Sequence, residues 1–425
     1  MTAPEVDFDH HSPELVETWR KRFRDLRQHC PVAHSPHYGG FYVVSTYEDM
    51  LRVWLDTDTF SSAFVGDPPM GTTIPPSPLE LGILNMDPPD HSKYRKVFMP
   101  TFSAAAVEAM RPRIREIADA TIDRFVETGR CDLIQDFAHI FLAVSTLELM
   151  GMPVNRSYPY MQVFFASAEP GHWSDMTESG SSYDPMAAMN FVLEDIRGIV
   201  RRREACPGTP LYAWQQATID GAPIPEEQLV RHIFVFLAGG TENMTATIGN
   251  IFNHLQLNPD HRRRLQQDPA LLPVAIEELL RFYPGATTNM RQVRKATTLG
   301  GVDLRPGDRV MVLFASGNES NPNIERPEEF ILDRNPNSHV TFGFGRHRCI
   351  GARLAQAQLE IIFQQFLTRL PDLQIDVEAI VRPPTIPQAD TWVSMPARFT
   401  PGPRSGLPAL ELAPNPVGQE DSDDV

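Results

Sequence analysis

His339–Ala355 reads HVTFGFGRHRCIGARLA, and it surrounds one cysteine, Cys349, with Arg346, His347, Arg348, Gly343, Gly345 and Gly351. A thiolate is the form of cysteine that binds metal or attacks, and nearby cations and helix N-termini favour it. Cys349 has both by sequence, because Ile350, Leu354, Ile361 and Leu367 after it recur at helical spacing and the positive end of that helix dipole falls beside the sulfur. Glycines admit backbone conformations barred to other residues, so amide N–H groups can be aimed at the sulfur. A lone thiolate with no second soft ligand nearby suits a metal whose other positions are filled from elsewhere.

Working back along the chain, Glu278 and Arg281 in AIEELLRFYP lie one helical turn apart and can pair. His91 and Arg95 in MDPPDHSKYR repeat that spacing after a proline-marked helix start, and Arg291 in TTNMRQV precedes a β-like stretch. RHIFVFLAGGTENMTATIGN (Arg231–Asn250) reads as part of one long helix reaching Leu257, with Gly239 and Gly240 inside it. Each costs about 1 kcal/mol relative to alanine. The polar Thr241, Glu242 and Asn243 follow at once. Such a sequence makes sense if something flat passes close to the backbone and needs polar atoms beside it.

The remaining features bound the answer. The 425 residues suffice for a sizeable core, and 54 acidic against 38 basic side chains give a net charge of −16, which argues against nucleic acid or an anionic membrane as partner. No apolar run approaches the roughly 20 residues of a membrane span, and the start MTAPEVDFDHHSPE lacks a leader's basic and apolar regions, so a cytoplasmic protein is expected. Cys30, Cys131, Cys206 and Cys349 are scattered, which suggests neither a disulfide framework nor a zinc site. Helical patterns dominate, among them Ala104 to Glu127 and Leu133 to Met150, with strands expected near Tyr38–Tyr47 and Gly300–Phe314. Ala63–Pro89 reads as a functional loop, Ala166–Pro185 as a lid, and the acidic, proline-rich tail from Pro401 as disordered.

Together these stretches resemble the cytochrome P450 family. Phe342, Gly345, His347, Cys349 and Gly351 match its F-x-x-G-x-[RH]-x-C-x-G signature; the other motifs follow in the family's order, and the likeness runs from about Tyr38 to Phe399. It implies a mainly α P450 fold with a smaller β-rich region: an N-terminal segment (1–37), a single haem domain (38–400) and the tail (401–425). It further implies a soluble bacterial-type haem-thiolate monooxygenase that places O2-derived oxygen into a C–H bond. Cys349 would ligate the iron of haem b. His91, Arg95, Arg291 and His347 would hold the propionates, with Phe342, Gly343, Gly351, Gly239 and Gly240 against the haem. Glu278 and Arg281 would join a buried network with Arg326 or Arg334.

Gly239–Asn243 is similar to the family's [AG]-G-x-[DE]-T motif, but asparagine stands where the alcohol is expected. Glu242 and Asn243, with Thr241 beside them, are the candidate proton-relay residues, and asparagine can donate and accept hydrogen bonds as a hydroxyl can. Family members that oxidise terpenes carry this exchange, so a terpenoid is the first expected substrate. Its pocket is expected around Met70, Leu79, Leu81, Val235, Ala238, Thr287 and Asp390. Electrons would come from NAD(P)H through a separate ferredoxin reductase and ferredoxin, docked by Arg95, Lys96, Arg113, Arg346, Arg348 and Arg353. A monomer is expected. The alternative is a peroxide-using or rearranging haem-thiolate enzyme that needs no ferredoxin.

Overall fold

The computed structural model of the chain describes residues 2–66, 71–75, 79–157, 160, 163, 185–203, 205–386 and 388–412. They gather into two compact units, Met1–Ala109 with Ala246–Thr368 and Pro384–Thr391, and Met110–Thr245 with Arg369–Pro383 and Trp392–Val425.

The first unit is built on a five-stranded sheet in the order Val32–Ser35, Phe41–Val44, Arg309–Leu313, Thr288–Val293, Phe60–Ser61. Arg309–Leu313 is buried along its whole length and pairs parallel with Phe41–Val44 (Val310↔Tyr42) and antiparallel with Thr288–Val293 (Val310↔Arg291). Flanked on both sides, it can afford a continuous apolar run, VMVL, rather than an alternating one. The helix Leu15–His29 buries Leu15, Val16, Trp19, Phe23 and Leu26, one helical stripe, against a core that includes Phe8, Phe41 and Met311. In the expected loop, the Ile74 side chain joins that core while its carbonyl accepts from His10 Nε2 (2.7 Å) and His11 Nε2 (3.0 Å). The two histidines thus tie this loop to the N-terminal segment.

Among its described residues the second unit is mainly helical, with the three-stranded antiparallel sheet Gln374–Ile375, Pro396–Arg398, Arg130–Asp132 and the small hairpin Thr218–Ile219 with Ala222–Pro223. Leu133–Met150, expected as a helix, is by length and mean hydropathy apolar enough to cross a membrane, which corrects the expectation that no run would be, and 72% of it is buried inside the protein. Its first turn, Leu133–Ala138, is a wide π-type turn capped by the Asp132 carboxylate, which accepts from Ile134 N and Gln135 N.

Three further expectations are corrected. The helix from Ala104 ends at Ile122, not Glu127. Beyond it the chain coils through turns, with Thr128 Oγ1 donating to Phe125 O and the Asp123 carboxylate receiving Arg369 and Ser405. The tail does not leave the protein at Pro401: Gly402 N donates to Val126 O (3.0 Å) and Ser405 N to Asp123 Oδ2 (2.9 Å). Residues 413–425 lie outside the described residues, as do 166–184 of the expected lid.

The third correction concerns the long helix, which is two: Glu226–Gly239 and Glu242–Leu257. Thr241 Oγ1 donates to both Leu237 O and Ala238 O at 3.0 Å, and Thr241 N turns to Ala238 O (3.2 Å), a tight three-residue turn. A hydroxyl that competes for i−4 carbonyls weakens the amide ladder, and the glycines before it offer little resistance.

Candidate active site

In the first unit the cysteine loop owes its shape to two glycines. Gly343 (φ +70°) and Gly345 (φ +68°) occupy the left-handed region, and at Gly345 a Cβ would also press to 3.2 Å of Trp54 O. The turn closes through Cys349 N to Phe342 O (2.8 Å) and Arg348 N to Gly345 O (3.2 Å). Its N-terminal side is stapled by Asn318. Asn318 Oδ1 accepts from Val340 N (2.8 Å), and Nδ2 donates to Thr341 Oγ1 (2.8 Å) and to Arg281 O (2.9 Å). Three residues past the cysteine the helix Ala352–Arg369 begins.

Cys349 is reached by solvent, yet the protein around the sulfur pushes its thiol pKa up. Burial is the largest influence; the Gly351 N–H, Arg348 and Arg95 pull the other way. The expectation that the cations would win is therefore corrected: desolvation outweighs them.

Beside the loop, the rings of His91 and His347 lie 4.1 Å apart between centroids. His91 Nδ1 and His347 Nε2 are buried without a hydrogen-bond partner among the described residues. Burial lowers the pKa of His91 to about 4 and that of His347 to about 2, helped by the charges of Arg95 and Arg346 in the first case and of Arg291 in the second. Arg291 is itself buried, which lowers its pKa to about 10; it donates to Asn289 Oδ1 and Met290 O. Arg95 donates to Arg348 O (2.7 Å). Neither guanidinium has a carboxylate at ion-pair distance among the described residues, and Asp87 is bonded instead to Arg294, Ser61 and Ser62. Two such ring nitrogens and two such guanidiniums together, wholly or partly buried without an anion, are costly unless a ligand completes them. The set suits carboxylates, which is what a haem would bring to it.

Glu278 and Arg281 form the frame behind the loop. Their side chains are fully buried and joined by two bonds, Arg281 Nε to Glu278 Oε2 (2.7 Å) and Nη2 to Oε1 (2.8 Å). Arg334, rather than Arg326, is the second arginine: its Nε donates to Glu278 Oε2 (3.0 Å). Ile331 N (2.8 Å) and Asn337 Nδ2 (3.0 Å) complete the carboxylate, while the exposed Arg326 pairs with Glu329. Because Arg281 O also holds Asn318, this network sets the height of the cysteine loop.

The motif Gly239–Asn243 lies in the second unit. A Cβ at Gly239 would meet nothing within 4 Å, whereas at Gly240 it would come to 2.9 Å of Thr146 Oγ1. So Gly239 leaves open room, and Gly240 is small because another helix packs on it. Glu242 is partly accessible, but burial raises its pKa to about 7. Asn243 is exposed. Thr241, grouped with them as a candidate, is buried and spends its hydroxyl on backbone carbonyls.

Of the expected pocket residues, Met70 lies outside the described residues, and Leu79 and Leu81 are half-buried. Thr287 and Asp390 are buried neighbours, joined through the bridge Ala286↔Ala389, with Thr287 N donating to Gln388 O (2.7 Å); Thr287 Oγ1 has no partner among the described residues. Val235 is buried and Ala238 half-buried in the second unit. Among the expected docking cations, Lys96, Arg346, Arg348 and Arg353 are exposed. Arg113 is corrected: Glu148 (2.5 Å) and Glu116 (2.8 Å) already neutralise it. Sequence reasoning missed Asn318 and Thr341; a threonine in the quoted stretch was the only available hint.

A family model described as Cytochrome P450 matches residues 188–376. The steroid C26-monooxygenase of Mycobacterium tuberculosis is 30% identical to this chain, over 95% of it and 99% of that protein. Linalool 8-monooxygenase of Pseudomonas putida is 28% identical, over 83% of this chain and 89% of its own length. Among solved structures, the Mycobacterium marinum cytochrome P450 CYP268A2 in complex with pseudoionone aligns with a TM-score of 0.82 at 25% identity, covering 93% of this chain and 99% of that one. Likeness at this level over nearly the whole length, with a mainly α fold and small sheets to match, means that the chain belongs to the cytochrome P450 family and is a bacterial-type cytochrome P450 monooxygenase.

Proposed function

We propose that this chain binds haem b through Cys349 and hydroxylates a small or medium hydrophobic substrate, a terpenoid first, using O2 and electrons passed from NAD(P)H by a ferredoxin reductase and a ferredoxin in the cytoplasm. The observation that carries the haem assignment is the set beside Cys349: His91 Nδ1 and His347 Nε2 without partners, and Arg95 and Arg291 without carboxylates. These four would bind the propionates by charge-assisted hydrogen bonds. Bound haem supplies the oxygen activation and the insertion of one oxygen atom into a C–H bond. The chain's own residues orient the substrate, exclude water and move protons. Glu242, near neutrality, can both release and take up a proton at working pH. Asn243 can hold the water it exchanges with.

A terpenoid is supported by Asn243 itself and by two comparisons, a relative named for linalool and a neighbour holding pseudoionone, both isoprenoid compounds. Of the expected lining in the first unit, Leu79 and Leu81 offer such a body apolar contact, and Thr287, whose hydroxyl has no partner among the described residues, offers one polar handle. The expected result of a panel of terpenoids, steroids, aromatics and fatty acids is a low-to-high spin shift of the haem absorbance with the terpenoids at micromolar concentration. A response confined to steroids or to long-chain fatty acids refutes the substrate class.

Glu242 makes a second prediction. Its carboxyl is protonated below about pH 7 and ionised above, so a relay that donates through it slows as pH rises through that value. With ferredoxin saturating, kcat is expected to show this inflection, and Glu242→Gln to lower kcat on the order of 100-fold and remove it. An inflection that survives in the glutamine variant assigns the titration elsewhere.

A further inference from the structure

The second unit contains a cavity of about 660 Å³ at its three-stranded sheet, lined by Arg124, Arg130 and Arg398 over an apolar surface from Phe125, Pro396 and Ala397. That volume is in the range of small-molecule sites. In the antiparallel register Arg398 stands directly opposite Arg130. Like charges directly opposite across a ladder are destabilising. Among the described residues none of the three arginines has a carboxylate at ion-pair distance, whereas Arg113, Arg156, Arg197, Arg201 and Arg369 of the same unit are all paired.

The acids at the cavity do not resolve the conflict. Asp132 is committed to Ile134 N, Gln135 N and Met395 N, and Asp136 to Asp132 N; Arg124 is near enough to favour the Asp136 carboxylate but not at ion-pair distance, so the conflict between Arg130 and Arg398 stands. Asp376 lines the same cavity without pairing to any of the three, so it favours a ligand with a single anionic head and a hydrogen-bond donor elsewhere. A sheet that places two cations face to face, adds a third, and leaves an open cavity before them is a local conflict that an anion would relieve.

We propose that this cavity is a second small-molecule site, binding an organic anion, a carboxylate or phosphate monoester on a short apolar body, whose oxygens bridge Arg130 and Arg398 while Arg124 completes the charge. None of these residues belongs to the Cys349 neighbourhood or to the Gly239–Asn243 motif.

The test is calorimetric titration and thermal shift on full-length, haem-loaded protein with phenyl phosphate and benzoate as probes and phenol as the uncharged control. Wild type is expected to bind at least one anion saturably, with a rise in Tm, and to ignore phenol. The tighter of the two anions identifies the head group. Arg398→Gln and Arg130→Gln are each expected to weaken binding about tenfold or more, and, without probe, to melt no lower than wild type because a repulsion is removed. Should either fail to fold, Arg124→Gln, on the other side of the cavity, carries the same affinity test. Absence of saturable binding, or binding that these variants leave intact, overturns the proposal. A full-length variant with Glu420, Asp421, Asp423 and Asp424 changed to their amides separates a diffusible ligand from the chain's own tail. Unchanged affinity supports the former; severalfold tighter binding means the tail competes for the arginines and overturns the assignment.

Discussion

Wild-type protein, reduced and exposed to carbon monoxide, is expected to display a strongly red-shifted absorbance band; Cys349→Ser should lack it, and NADPH-dependent product formation should fall to background. An axial thiolate is what makes that band. A serine hydroxyl is a harder, far less acidic donor and cannot take its place. The loop should survive the change, because its turn is closed by backbone bonds, Cys349 N to Phe342 O and Arg348 N to Gly345 O, and by the glycines, none of which uses the sulfur. Wild-type circular dichroism and a Tm within a few degrees would thus accompany the spectral loss, separating ligation from folding. Cys131→Ser is the control. That thiol is buried and its pKa is raised by desolvation and by Asp136 and Asp132, which disfavours the thiolate that binds metal, and the band should persist. Retention of the band in Cys349→Ser would remove the central assignment.

Glu278→Ala should have the largest effect on stability. The substitution leaves the guanidiniums of Arg281 and Arg334, the Ile331 N–H and the Asn337 amide facing a small apolar void. Breaking a buried ion pair by removing one partner costs about 3–5 kcal/mol, against a typical total of about 5–15 kcal/mol. A Tm lower by roughly 3–6 °C is expected for a chain of this length, with much of the protein insoluble. The loss should reach the cofactor as well, because Arg281 O holds Asn318 and Asn318 holds Val340 and Thr341 at the start of the cysteine loop. Haem content per chain should therefore fall together with Tm. Glu278→Gln, which keeps the acceptor oxygen but not the charge, should lie between. An alanine variant with wild-type Tm and full haem content would show that the network is dispensable.

The family resemblance was legible because its motifs are local. The cysteine loop depends on residues within one turn of backbone, where only glycine tolerates the left-handed conformations at 343 and 345. His91 with Arg95 and Glu278 with Arg281 are single-turn spacings that a helix converts into neighbours. The choice between Arg334 and Arg326 was not legible. Both are arginines of the same segment, and only the path of the chain buries the first and exposes the second. Likewise Arg113 looks like any exposed basic residue until a glutamate 35 positions away closes on it.

What the sequence alone determined, then, is the chemistry on offer: a thiol in a glycine-rich turn, donors fit for carboxylates, an acid beside an asparagine, and helices in which local periodicity dominates. Only the tertiary structure decided how those groups behave. It split the long helix, because the Thr241 hydroxyl takes carbonyls the ladder would otherwise hold. It raised the pKa of Glu242 to about 7 and that of the Cys349 thiol above its usual value, because both depend on how much protein displaces water around them. It set Arg130 opposite Arg398 across a ladder between segments far apart in sequence. Desolvation and long-range pairing are sums over neighbours brought from elsewhere in the chain, and no local window of sequence contains those neighbours.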